Sequence, residues 1–528
     1  MSAANAGIPP KATAREWTGL AVIALPCLLY SMDLTVLNLA VPHLSAALRP
    51  TSAQMLWIVD IYGFMLAGSL ITMGTLGDRI GRRKLLLIGA ACFGIASVLA
   101  AFSTSAEMLI ATRALLGVAG ATLAPSTLSL IRNMFLDAHE RTVAVGIWVT
   151  SFAVGGAIGP LVGGMLLEHY GWGSVFLVGV PVMVLLLVIG PWLLPEYRDD
   201  KAGRLDLASV ALSLVAVLAV IYGLKRIAES GVDAWPIAVM AAGAATGFAF
   251  IRRQGRLADP LIDLRLFRAP AFSAALLVNT LGFFVGFAAF LLIAQYLQLV
   301  LGLSPLKAGL WSLPSSLAFI VGSNLVPRMV RRVRPGFIVA GGLVLAAAGF
   351  GLLVGLDRDN GLRMLVAGYV ILSLGLSFVF TLAADMLVGT APPERAGTAS
   401  ALSETSSELG GALGIAILGS VVVAAYRRAL AGASLDGVPL AAAEAARASL
   451  GAAADLAAGL AGPAGDRLMN ASREAFAQAF ELTALISAVV ALAAALLASI
   501  TLREVGMPRA APGSSQADST SLACGPPG

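Results

Sequence analysis

Charge is what this sequence has least of. Only 12% of its 528 residues are Asp, Glu, Lys or Arg, 58% are hydrophobic, and the mean hydropathy is +0.87. Soluble domains carry about 25% charge, so an ordinary soluble domain is excluded. The formal net charge of +5 comes from positives spread over short segments rather than from a basic tract, so no nucleic-acid partner is expected. Cysteine and histidine are nearly absent. Cys27, Cys92 and Cys524 lack zinc or disulfide spacing. His43, His139 and His169 fall near the ends of apolar runs and form no ligand cluster, so no metal is expected. There is no phosphate-binding glycine loop, which excludes ATP as a driver. No catalytic residue and no cofactor is expected, and the chain does not read as an enzyme. Period-two alternation is missing as well, which excludes a membrane barrel.

What the sequence has in quantity is apolar runs of about 20 residues, the length that crosses a hydrocarbon core as a helix. They fall at 18–42, 54–76, 85–102, 107–131, 142–166, 173–195, 205–224, 235–251, 271–300, 308–327, 336–356, 362–387, 397–426 and 476–502. They predict an all-α polytopic membrane protein with fourteen transmembrane helices. The first run holds Asp33 and is too long for a signal-peptide core, so it reads as an uncleaved span. Lys and Arg set the orientation. With the N-terminus inside, 23 of the 35 fall in cytoplasmic segments and 11 outside, and Arg113 alone lies within a span. Both termini are therefore expected in the cytoplasm. The Ala-rich segment 427–475 reads as a helical or hairpin excursion over the external mouth. Residues 506–528, rich in Pro, Gly, Ser and Ala, read as a disordered cytoplasmic tail.

Against this background the buried charges stand out. Glu404 and Glu408 sit in TASALSETSSELGGALGIAILGSVVVAAY, four residues apart and so on one helix face. They lie about 10 and 16 Å deep from the cytoplasmic end at 1.5 Å per residue. A charge near the bilayer centre costs about 2.5–3.5 kcal/mol on insertion scales, and no Lys or Arg in that span neutralises the pair. Adjacent like charges resist double ionisation, so one Glu is expected to hold a proton at rest and to yield it to an entering cation. Pairing through Ser403, Ser406 or Ser407 is the structural alternative. Arg113 lies about six residues into the fourth span. It either snorkels to the outer surface or pairs with an acid, and Asp33 is close to it in height. Asp60, two turns into the second span, is an interfacial acid or part of an external vestibule in which Trp57 stacks on a flat cation. Asp385, near the cytoplasmic end of the twelfth span, reads as structural or gating. Phe283, Phe284, Phe287 and Phe290 lie partly on one face, with Phe287 a candidate substrate wall.

Between the second and third runs lies Gly74-Thr75-Leu76-Gly77-Asp78-Arg79-Ile80-Gly81-Arg82-Arg83-Lys84. Its glycines allow close helix approach. Asp78, an acid among bases, is suited to pair with an Arg or a helix N-terminus and latch one conformation. This segment resembles the G-x-L-x-D-R-x-G-R-R/K loop of the major facilitator superfamily. Arg113-Ala-Leu-Leu-Gly117-Val-Ala-Gly120 resembles that family's fourth-span motif. Gly155-Gly-Ala-Ile-Gly159-Pro160-Leu-Val-Gly163-Gly164 resembles its antiporter motif, read here equally as tight packing and as a hinge. Asp33-Leu-Thr-Val-Leu-Asn38-Leu-Ala-Val-Pro42, and Pro392-Pro-Glu-Arg-Ala-Gly397 leading into the acidic span, are similar to the fourteen-span drug:proton antiporters.

The resemblance covers about residues 15–505. It implies a six-helix bundle over 1–197, two inserted helices with linkers over 198–262, and a second six-helix bundle over 263–505. It further implies proton-coupled export of cationic, lipophilic drugs, dyes or quaternary ammonium compounds across a bacterial cytoplasmic membrane, by a functional monomer driven by the proton-motive force. Asp33, Arg113, Glu404 and Glu408 are the expected proton-coupling residues. Asp60, Trp57, Phe287 and the two glutamates are the expected substrate contacts. An exporter of one antibiotic or metabolite is the alternative, and a non-transporting sensor or scaffold a weaker one.

Overall fold

The computed structural model describes residues 10–198, 205–230, 233–257, 260–356, 361–447, 449–460 and 463–503. The tail 506–528 and parts of the 198–262 linkers lie outside the described residues, as does the side chain of Pro160. No strand occurs among the described residues.

The chain runs as α1 (Ala14–Leu48), α2 (Ser52–Ile80), α3 (Arg82–Ala101), α4 (Ala106–Met134), α5 (Ala138–Tyr170), α6 (Ser174–Leu177), α7 (Gly179–Leu193), α8 (Leu207–Ser230), α9 (Ala234–Gln254), α10 (Pro270–Gln295), α11 (Pro305–Met329), α12 (Pro335–Val354), α13 (Gly361–Thr390), α14 (Ala396–Ala431), α15 (Leu440–Ala446), α16 (Leu450–Gly459) and α17 (Pro463–Thr501). Thirteen spans among the described residues are long and apolar enough to cross a membrane, with α6 and α7 forming one of them. Helix α1 adds 35 continuous residues, about 50 Å at 1.5 Å per residue.

Local chemistry sets the helix starts. Thr51 opens α2 with a reciprocal capping box to Gln54, and Ser105, Asp137 and Ser304 cap α4, α5 and α11. Pro270 and Pro335 occupy first turns, where their missing N–H costs nothing. Several helices outrun their apolar stretches, because backbone hydrogen bonding continues where hydropathy falls. Helix α17 begins at Pro463 rather than near 476, and α8 continues past 224 to Ser230. The 427–475 excursion consists of α15, α16 and the first turns of α17. It is pinned where Tyr426 donates to the Ala446 carbonyl (3.0 Å) and Arg467 to that of Asp436 (2.7 Å).

Helices α1 to α7 pack together, α1 on α5, α2 on α4, and α3 on α4 and α7; α10 to α14 pack with α17 as a second half. The buried apolar side chains largely follow that division, one cluster running mainly through the first half and two mainly through the second, with Ala384, Val388 and Ala396 joining the first and Ile71 joining one of the others. Helices α8 and α9 pair with each other, and α8 also packs against α2 and α14. Alternating helix directions bring the α2–α3, α4–α5, α11–α12 and α13–α14 turns to one face. That face carries Arg79, Arg82, Arg83, Arg328, Arg331 and Arg334 and is called the basic face below.

Candidate functional site

At the basic face the two halves are joined by buried charge. Asp78, at the end of α2, accepts from Arg82 Nε (3.0 Å) and Nη2 (2.7 Å). It also accepts from the backbone N–H groups of Gly397 and Thr398 (2.9 Å each) and from the Thr398 hydroxyl (3.1 Å). Asp78 therefore takes both partners its sequence context suggests, the Arg and the N-terminus of α14, where orphan N–H groups and the helix dipole favour an anion. Arg82, fully buried, also donates to the Pro393 carbonyl (2.7 Å). Gly74 makes this approach feasible, since a Cβ there would lie 2.4 Å from the Ala401 Cβ and 2.5 Å from the Gly397 oxygen. Gly81 turns the chain at φ +110°. Arg83 donates to the Pro191 and Leu194 carbonyls (3.0 Å each). Arg79 is in the last turn of α2. A reciprocal joint lies nearby. Asp385 of α13 accepts from Arg141 Nε (2.8 Å) and from the Thr142 hydroxyl (2.7 Å) of α5, and Arg132 of α4 donates to the Val388 carbonyl (3.2 Å).

Deeper in the bundle, Arg113 of α4 meets Asp33 of α1 at 2.7 Å. Arg113 is 1% exposed, which rules out the snorkelling alternative. Its guanidinium lies 4.7 Å from the centroid of the Tyr62 ring and donates to the Ile58 carbonyl (3.2 Å). One turn earlier on α1, the Tyr30 hydroxyl donates to Glu408 Oε1 of α14 (3.0 Å). Tyr30 and Asp33 are three residues apart, about 4.5 Å along a helix axis. A single turn of α1 therefore touches both the Asp33–Arg113 pair and the acidic helix of the other half.

Glu404 and Glu408 are half-buried. Glu404 has no hydrogen bond or ion pair among the described residues, and Glu408 has Tyr30 alone. Ser406 and Ser407, candidates to pair with the glutamates, instead accept from Asn279 Nδ2 of α10 (2.8 and 3.0 Å). That network ties α14 to α10. Phe287 of α10 lies over Gly411, three residues beyond Glu408, within 3.1 Å of where a Cβ would sit, and is 41% exposed.

Asp60 has a partner that neither the interfacial nor the vestibule reading names. It forms an ion pair with Lys225 of α8, a residue that hydropathy alone leaves in a loop. Trp57 is 43% exposed, in an edge-to-face contact with Phe64 (6.1 Å between centroids). The α5 glycines divide between two roles. A Cβ on Gly155 would lie 2.1 Å from the Leu28 oxygen, and one on Gly163 2.8 Å from Val36 Cγ1, so these two let α5 close on α1. A Cβ on Gly164 would meet nothing within 4 Å, so packing does not account for it. Gly159 is buried in the same helix.

Three partners have no clear mark in the sequence: Tyr30, Asn279 and Lys225. A lone Asn in an otherwise apolar run is the one usable signal, because a buried amide requires partners.

The Major Facilitator Superfamily model matches residues 23–415. The multidrug efflux pump LfrA of Mycolicibacterium smegmatis is 43% identical over 511 residues, 95% of this chain and 100% of that protein. The methyl viologen resistance protein SmvA of Salmonella typhimurium is 35% identical over 469 residues, 88% of this chain and 93% of its own. The crystal structure of the human organic anion transporter MFSD10 superposes with a TM-score of 0.62 at 16% identity, over 93% of this chain and all of that one, a likeness of fold alone. Two helical halves around membrane-depth acids, and relatives that are multidrug and antibiotic efflux proteins, place the chain in a family of transporters rather than enzymes: it belongs to the Major Facilitator Superfamily.

Proposed function

We propose that this protein is a proton-coupled antiporter that exports cationic, lipophilic drugs, dyes or quaternary ammonium compounds, with both termini in the cytoplasm and the monomer as the working unit. One observation carries the reading: Glu404 has no hydrogen-bond donor or ion-pair partner among the described residues, and Glu408 is met only by the Tyr30 hydroxyl and, beyond ion-pair distance, by the charge of Lys225. A carboxylate in that setting is stabilised by a proton or by a bound cation, and exchange of one for the other is antiport. The name of the relative SmvA refers to methyl viologen, a dication. Moving a dication outward against 100 mV costs about 4.6 kcal/mol, twice the ~2.3 kcal/mol per elementary charge. Two entering protons offset that, and Asp33, Glu404 and Glu408 supply enough sites.

The basic face is then cytoplasmic by the positive-inside rule. Its closed Asp78 and Asp385 joints correspond to a state sealed toward the cytoplasm, and breaking them would admit cargo from inside. Alternating access by rocking one half on the other requires such joints to form and break. Energised inverted vesicles test the reading. Wild-type protein should accumulate ethidium and collapse part of the pH gradient. The Glu404→Gln/Glu408→Gln double variant should do neither at neutral pH. Wild-type rates with an unchanged pH response in that variant would remove the pair from the mechanism.

A further inference from the structure

The pairing of Asp60 with Lys225 joins a helix of the first half to the inserted pair, and it resembles a binding event. The Lys225 ammonium sits 4.8 Å from the centroid of the Phe64 ring while paired with the Asp60 carboxylate. Trp57 and Tyr222 flank the same ring, with centroids 6.1 and 6.5 Å away. A carboxylate beside aromatic faces is the arrangement that holds organic ammonium ions, because ring quadrupoles attract a cation that has no hydrogen to donate.

Burial does not force this pairing. The side chains of Lys225 and Asp60 are 37% and 18% exposed, so protein atoms enclose neither, and a lysine five residues from a helix end ordinarily extends to the surface. Lys225 instead reaches across to α2, pairing with Asp60 beside the Phe64 ring. Close packing holds it in range: Gly68 of α2 faces Leu214 and Leu218 of α8, where a Cβ would lie 2.7 Å from Leu214 Cδ1. Helix α8 also packs on α14, the helix of Glu404 and Glu408, and the charge of Lys225 acts on Glu408.

We propose that Asp60, Phe64, Trp57 and Tyr222 form an ammonium-binding site whose resident occupant is Lys225, a tethered competitor that a cationic cargo displaces. The site takes organic monocations, quaternary ammonium ions included, and the inserted helix pair sets how tightly they bind. A tethered group competes by intramolecular occupancy. If it holds the site nine-tenths of the time, it weakens apparent affinity by about tenfold.

This proposal rests on the cationic-cargo reading, and one titration separates the two. Binding of radiolabelled tetraphenylphosphonium to purified, monodisperse protein is measured for wild type, Lys225→Met, Lys225→Arg, Asp60→Asn and the Asp60→Asn/Lys225→Met double variant. The expected result is about tenfold tighter binding by Lys225→Met, wild-type binding by Lys225→Arg, and equal, weaker binding by the two Asp60→Asn proteins. Unchanged or weaker binding by Lys225→Met, with wild type and Lys225→Arg binding normally, overturns the tethered competitor and leaves cationic export standing. The competitor is equally overturned if Lys225→Met gains as much affinity in the Asp60→Asn background. No binding by any of the proteins overturns the cationic-cargo reading and the competitor with it.

Discussion

Asp78 and Glu404 are both carboxylates at helix depth in the same protein, and the protein treats them in opposite ways. Asp78 accepts five hydrogen bonds, from Arg82, Gly397 and Thr398; Glu404 accepts none among the described residues. The first is a joint, whose charge is paired and hydrogen-bonded across the two halves. The second has no partner among the described residues, and in the proposed mechanism its charge is met by a proton or a cargo cation that comes and goes. A transporter needs both kinds of acid: one to define a state, one to respond to cargo.

Stability measurements can break that comparison. Removing one partner of a buried ion pair leaves the other uncompensated and costs about 3–5 kcal/mol. Asp78→Ala is therefore expected to lower the unfolding midpoint strongly in detergent, while Glu404→Gln removes an unpaired charge and holds or raises it. Equal losses in the two variants would erase the distinction. Gly74→Ala sharpens it further. The added methyl collides with Gly397 and Ala401, an overpacking worth about 1–3 kcal/mol. It should open the basic face, read as faster labelling of a cysteine placed at the buried Ser400, whose hydroxyl bonds only within α14.

Tyr30→Phe tests the link between the two regions. Losing the bond to Glu408 should cost about 1.5–3 kcal/mol if the carboxylate is charged, and should shift the pH profile of transport with little change in the rate maximum. Asp206 provides the smallest expected effect. Hydrogen bonding from Arg253 Nε (2.7 Å) holds its carboxyl well below the usual range. Its contribution is present above the ordinary carboxylate range and is lost as pH falls through that range toward the lowered value. The pair is exposed and screened, so Asp206→Asn should barely move the melting temperature at neutral pH, and less still in high salt.

Much of this is legible in the sequence. The apolar runs locate the spans because hydrocarbon thickness fixes helix length, and the Gly74–Lys84 turn signals a latch because an acid among bases at a helix end has few other uses. The partners are harder to read. Tyr30 looks like any core aromatic until α14 is placed beside it. Lys225 falls in a loop by hydropathy, which ends where the cation begins, although lysine is a good helix former. The Ser406–Ser407 pair looks like relief for the glutamates until Asn279 claims it. In each case the missing information is which helix lies across the gap, a fact that no periodicity in one segment contains.

If cargo and proton exchange at Glu404 and Glu408, binding alone must release protons, with no gradient present. Purified protein in weakly buffered detergent, mixed with excess tetraphenylphosphonium near neutral pH, puts this to the test. Exchange at the pair predicts a stoichiometric release of protons on binding, absent in the Glu404→Gln/Glu408→Gln variant. Binding with no proton release by the wild-type protein, or undiminished release by the variant, would contradict it.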